Sequence, residues 1–221
     1  MDLTPVWISV KIAGTSIVLT FFLGIFCAVG MLKVKNEKLK ALLDGILTLP
    51  LVLPPTVAGF FLLYIFGVKR PLGALLLSVF KFKVAFTWRG AVLAAVVISF
   101  PLMYRSARGA FEQVDKNLVY AGQTLGLSEW KIFWKILIPS AIPGILSGLV
   151  TAFARGLGEF GATAMIAGNI GGQTRTLPLA IYSEVAAGNM DSAGFYVSLI
   201  MAISLLIVGL MNYFTGKMAK G

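Results

Sequence analysis

Residues 109–139 read GAFEQVDKNLVYAGQTLGLSEWKIFWKILIP, a polar, helix-forming interlude set between two long apolar stretches. Phe111, Val114, Leu118, Ala121 and Leu125 recur at helical spacing, with Glu112, Asp115, Lys116 and Gln123 between them, which predicts an amphipathic helix. Gly126 can take the left-handed conformation that commonly ends a helix. Ser128 is suited to cap the next turn, with Glu129 near its positive end. Leu127, Trp130, Trp134 and Leu137 carry an apolar stripe onward, and Pro139 stands near the start of the following run. The expected product is a helix, a sharp corner and a second helix.

Working outward, the 221 residues are 58% hydrophobic and 13% charged. Soluble domains are about 45–50% apolar and roughly 25% charged, so this chain is built for lipid. A bilayer core needs about 20 apolar helical residues. Residues 12–32, 45–68, 90–104, 136–154 and 192–216 supply five candidate spans, the second interrupted by Pro50, Pro54 and Pro55. Arg89 and Arg105 flank the short third run and can snorkel outward. Residues 71–80 are apolar but too few to cross, and read as an interfacial or re-entrant piece. Residues 160–174 are uncharged yet rich in Gly, Asn, Gln and Thr, so five spans are favoured over six. The fold class expected is all-α: a polytopic membrane helical bundle of about five transmembrane helices, forming one domain over 1–221.

Net charge is +10, but Lys and Arg cluster at the ends of apolar runs, as membrane anchors do, which argues against a nucleic-acid partner. Placing Lys33, Lys35, Lys38, Lys40, Arg105, Arg108, Lys116, Lys131, Lys135, Lys217 and Lys220 inside puts the N-terminus outside and the C-terminus in the cytoplasm. Lys11, Lys69, Arg70, Lys81, Lys83, Arg89 and Arg175 then lie outside, and Arg155 falls within the membrane. Met1-Asp2 opens no basic leader, so the first apolar run is expected to remain as a helix. There is no histidine, and Cys27, alone, reads as a small packing residue. With Glu159 the one membrane acid, little chemistry is on offer and no catalysis is expected. No G-x4-G-K-[ST] loop occurs, so no nucleotide phosphates are expected to be cradled by this chain.

Three further stretches draw attention. Gly144, Gly148, Ala152 and Gly156 repeat every four residues, allowing close helix approach within the subunit or at a seam between subunits. Arg155 and Glu159 stand four apart and can offset one another, as a structural pair or as part of a gate with Phe160 and Thr163. Pro54 and Pro55 free backbone carbonyls beside Thr56, either in a kinked packing helix or along a path.

Tyr120-Ala121-Gly122, three residues, Gly126, nine residues, then Ile136-Leu137-Ile138-Pro139 resembles the cytoplasmic E-A-A-x3-G-x9-I-x-L-P signature of ABC importer permeases. Tyr120 stands in place of glutamate, Gly122 of the second alanine and Ile138 of leucine. Small residues at 121 and 122 keep the close approach, whereas the polar contact of the usual glutamate is lost. The stretches 49–59 and 155–163, with Asn169-Ile170 and residues 174–178, look like the permease subunit of molybdate importers, and the likeness covers most of residues 10–215.

The resemblance implies a coupling loop at about 109–136, with Tyr120, Ala121, Gly122, Gly126, Leu127, Ile136 and Pro139 engaging a separate ATPase. It implies a path or gate containing Pro54, Pro55, Thr56, Arg155, Glu159, Phe160 and Thr163. It further implies a plasma- or inner-membrane location, a second copy of the chain, two cytoplasmic ABC ATPases that hold ATP and magnesium, an external oxyanion-binding protein, and alternating access. Sulfate and tungstate permeases share much of this pattern. An ATPase-independent channel or secondary transporter would be expected to show inverted repeats or paired broken helices, and neither is clear. The basic loop 69–89 would then meet an acidic binding protein, attract anions or rest on the membrane surface.

Overall fold

A computed structural model describes residues 2–218. All regular structure in them is helical: α1 Thr4–Leu32, α2 Glu37–Val52, α3 Pro55–Phe66, α4 Pro71–Phe80, α5 Trp88–Glu112, α6 Lys116–Thr124, α7 Glu129–Ile132, α8 Ile138–Leu157, α9 Gly161–Ile166, α10 Leu177–Ala186 and α11 Met190–Met218. A single π turn, Phe133–Leu137, fuses α7 to α8.

Four of these helices are long and apolar enough to cross a membrane: α1, α5, the 129–157 rod and α11. The second expected span is not a kinked helix but two helices, α2 and α3, meeting at 110°. The cause is local. A residue before proline is pushed out of the helical region, and Leu53 and Pro54 both precede a proline. They adopt ψ of 135° and 136°. Pro50, preceded by Leu49, is accommodated inside α2. The broken pair still traverses the bundle. Asp44 of α2 meets Tyr104 and Arg108 near the end of α5, whereas Leu62 of α3 joins the core around Ile8 and Val92 near its start.

The third span extends to residues 88–112, and the fourth begins at 129 rather than 136. Residues 160–174 hold only the six-residue α9 and a loop with Gly168 and Gly172 at positive φ, so they supply no sixth crossing. Residues 71–80 form the ten-residue helix α4. Counting the bent pair once gives five crossings. Of the basic residues placed at the C-terminal end, the Lys217 side chain and all of Lys220 lie outside the described residues.

Helices α1 and α5 run parallel at the centre. One apolar cluster joins Ile8 and Ile12 to Ala91–Ile98, and a second joins Ala28 and Met31 to Met103, Ala107 and Phe111. Gly24 permits the crossing, because a Cβ there would lie 2.6 Å from Met103 Cγ. A buried pair of hydroxyls, Thr20 and Ser99 at 3.1 Å, satisfies the polar groups between them. Helix α8 runs antiparallel to α5. A Cβ on Gly144 would meet Ala110 Cβ at 2.6 Å, and one on Gly148 would meet Ser106 Cβ at 2.4 Å. The small-residue stripe is therefore packed inside the subunit. Helix α11 starts beside the N-terminus, where the Tyr196 hydroxyl donates to the Asp2 carbonyl at 2.9 Å.

Candidate functional site: the helical corner and the broken-helix contact

Asp115 begins the corner. Its side chain accepts from Asn117 N at 2.9 Å and caps α6. The far end closes as a Schellman motif: Gly126 N donates to Gln123 O at 2.9 Å, and Leu127 N donates to Gly122 O at 3.0 Å. Gly126 carries the required φ of +73°. Ser128 Oγ then accepts from Lys131 N at 3.4 Å, with Glu129 in the first turn of α7. Two helices thus meet at a four-residue corner, residues 125–128, closed by hydrogen bonds on both sides.

The part of α6 turned inward is Gly122 rather than the apolar stripe. Gly122 is buried, and a Cβ there would sit 2.8 Å from Ile136 Cδ1 and 3.2 Å from Ile132 Cγ1. Leu118, Ala121 and Leu125 face outward instead, with Leu118 49% and Leu125 79% exposed, and Tyr120 and Trp130 lie open with them. Among the described residues, the apolar stripe of the helix is left largely open. Among the other residues of the signature, Leu127 and Ile136 are half-buried, and Pro139 is exposed at the start of α8.

Beside this corner lies a polar cluster that sequence reasoning missed. Arg108 pairs with Asp44 through Nη1 and with Glu112 through Nε at 2.9 Å, Lys40 approaches Glu112 at 3.6 Å, and the Tyr104 hydroxyl donates to Asp44 at 2.8 Å. It ties α2 to the last two turns of α5, directly before the α6 cap. The i,i+4 pair Arg108–Glu112 was legible; Asp44, 64 positions away, was not.

At the other end, Pro55 and Thr56 are brought against Gly161. A Cβ on Gly161 would lie 3.1 Å from Pro55 Cβ and 3.3 Å from Thr56 Cγ2. Gly59 is closer still, with Ala162 Cα 2.7 Å from its would-be Cβ. Glu159 does not continue the helix of Arg155. It lies past the end of α8, where Oε1 accepts from Ala162 N at 2.8 Å while Oε2 contacts Arg155 Nη1 at 2.8 Å. The carboxylate side chain is 2% exposed and the guanidinium 36%, so the pair holds the α8–α9 bend together from its buried side. Thr163 is buried and Phe160 half-buried, its ring 5.2 Å from that of Tyr182. Of the residues expected along a path, Pro54 and Thr56 are exposed, whereas Glu159 and Thr163 belong to the packed interior.

Residues 20–220 match the family described as "Binding-protein-dependent transport system inner membrane component". The chain belongs to that family. Within it, the chain is 40% identical over 217 residues to the molybdenum transport system permease protein ModB of Haemophilus influenzae, covering 98% of this chain and 94% of that protein. It is 43% identical over 211 residues to ModB of Escherichia coli K12, covering 94% and 91%. The fold matches a chain of the bacterial alginate ABC transporter solved in complex with an alginate pentasaccharide-bound periplasmic protein, with a TM-score of 0.81, 15% identity, and coverage of 99% and 79%. At that identity the likeness bears on the fold of the family member, not on its cargo.

Proposed function

We propose that this chain is the membrane-spanning permease subunit of a molybdate importer driven by ATP. The observation that carries the reading is near full-length similarity to molybdenum permeases, joined to a hydrogen-bonded corner whose apolar residues Leu118 and Leu125 are exposed among the described residues. Helix α6 presents Leu118, Tyr120, Ala121 and Leu125 to a cytoplasmic ABC ATPase, which holds ATP and magnesium. Gly122 lets α6 sit close on Ile132 and Ile136, and the Schellman turn at Gly126–Leu127 transmits the push of α6 into the rod ending at α8. Pro139, at the start of that rod, belongs to the same moving unit.

Two copies of the chain form the path between them. The exposed α2–α3 break, with Pro54, Pro55 and Thr56 and Val52 83% exposed, faces that path or the second copy. Arg155 and Glu159 hold the bend behind it, with Phe160 and Thr163 fixing its position. An external oxyanion-binding protein delivers cargo at the end where α1, α5 and α9 meet, and the corner lies in the cytoplasm of a cell-membrane protein whose N-terminus is outside.

The test is co-purification with the ATPase and binding protein, followed by ATP hydrolysis with molybdate, tungstate and sulfate in turn. Stimulation strongest with molybdate is expected. Stimulation by sulfate alone would reassign the cargo. Oxyanion movement into vesicles by the chain alone, without ATP, would replace the reading with a self-sufficient transporter.

A further inference from the structure

At the end of the bundle opposite α6, the starts of α1 and α5 and the loops at 81–87 and 172–173 enclose a cavity of about 390 Å³. Its walls carry four cations, Lys11, Lys81, Lys83 and Arg89, and no acidic side chain. Among the described residues none of the four takes part in an ion pair. Lys11 Nζ lies 4.0 Å above the Trp88 ring, and Arg89 Cζ lies 4.2 Å above the Phe82 ring. A ring face orients a cation without neutralising it, so both charges are held in place and left for another partner. The backbone is shaped to the same end. Lys81 adopts φ of 52° and Phe86 φ of 57°, folding the 81–87 loop over the start of α5. Thr87 and Trp88, at the positive end of that helix dipole, form part of the wall. Gln173 adds a neutral hydrogen-bonding side chain.

Four like charges converging on one cavity repel one another until an anion enters. We infer that this cavity binds a compact tetrahedral oxyanion group, either a free oxyanion or the phosphate of an anionic lipid headgroup. Lys81 and Lys83 reach it from the loop, and Lys11 and Arg89 are posed by their aromatic partners. Exposed Trp7 suits both sources, because tryptophan favours the membrane–water boundary and lysine snorkels to it.

The full chain is placed in nanodiscs as wild type and as the Lys81→Gln/Lys83→Gln variant, both positions being exposed so that packing is undisturbed. In discs mixing phosphatidylglycerol with phosphatidylcholine, native mass spectrometry reads the anionic lipid retained. In phosphatidylcholine-only discs, inorganic phosphate and molybdate are titrated against tryptophan fluorescence, to which Trp7 and Trp88 of the cavity wall contribute. Binding in one arm, weakened roughly 10-fold or more in the double variant and falling as salt rises, is expected. Retention of lipid alone assigns a headgroup, and saturation by a soluble ion assigns a free oxyanion. Equal behaviour of wild type and variant in both arms overturns the site. Because no ATPase or binding protein is present, the result is independent of the transport reading.

Discussion

The Tyr104 hydroxyl donates a 2.8 Å hydrogen bond to Asp44, linking the first half of the broken span to the helix that leads into the corner. Arg108, one turn further along α5, holds the same carboxylate and also Glu112, so one cluster couples α2 to the three-residue lead into α6. A hydrogen bond to a charged group contributes about 1.5–3 kcal/mol. Tyr104→Phe and Asp44→Asn should each lower thermal stability in detergent. Their double variant should cost less than the sum, with a coupling of about 0.5–3 kcal/mol. Additive losses would show that the two helices are not joined through this contact.

Gly126 tests the elbow itself. A Cβ there meets nothing within 4 Å, so any effect arises from backbone conformation at φ +73° and not from crowding. A non-glycine residue in this region costs about 1–2 kcal/mol, and asparagine least. Gly126→Val should leave the protein in the membrane yet abolish uptake and disconnect it from ATP hydrolysis, while Gly126→Asn should retain much of both. Normal uptake by the valine variant would remove the elbow from the mechanism.

Gly59 and Gly14 form a matched pair. A methyl group at Gly59 would be driven to 2.7 Å from Ala162 Cα, which is backbone and cannot swing aside, whereas Gly14 has open space. Overpacking of this kind typically costs about 1–3 kcal/mol. Gly59→Ala should reduce the melting temperature and Gly14→Ala should not, as read by a thermal-shift assay on the purified chain. Similar behaviour of both would mean that α3 and α9 do not approach this closely.

Arg155→Ala would leave the buried Glu159 carboxylate without its cation. Breaking such a pair costs about 3–5 kcal/mol when both members are buried; Arg155 is partly exposed, so a loss near the lower end is expected. Glu159→Gln on the same background should restore part of it, because the amide oxygen can still accept from Ala162 N. Failure of that rescue in urea-unfolding or thermal assays would mean that the charge pair is not what holds the bend.

The membrane class, the number of crossings and the Ser128 and Gly126 turn chemistry were all legible in sequence, because each rests on local composition or on residues a few positions apart. The angle of the second span is not legible, since proline spacing signals an interruption but not its size; the 110° turn depends on two successive residues preceding proline. Periodicity finds the apolar stripe of a helix but not whether the stripe is covered by its own chain, and here Gly122 packs while Leu125 does not. Glu159 and Arg155 were correctly paired. Their separation by the end of α8 was hidden, because an i,i+4 contact survives where the helix ends. Asp44 was overlooked altogether, its partners lying on another helix.

Leu125, 79% exposed at the C-terminal cap of α6, offers the most direct measurement. In a Cys27→Ser background, a Leu125→Cys variant is co-expressed with the ATPase in whole cells and treated with a short crosslinker and, separately, a maleimide that cannot cross the membrane. The account requires a crosslinked permease–ATPase product and no labelling from outside. Labelling from outside, with no crosslinked product, would contradict it.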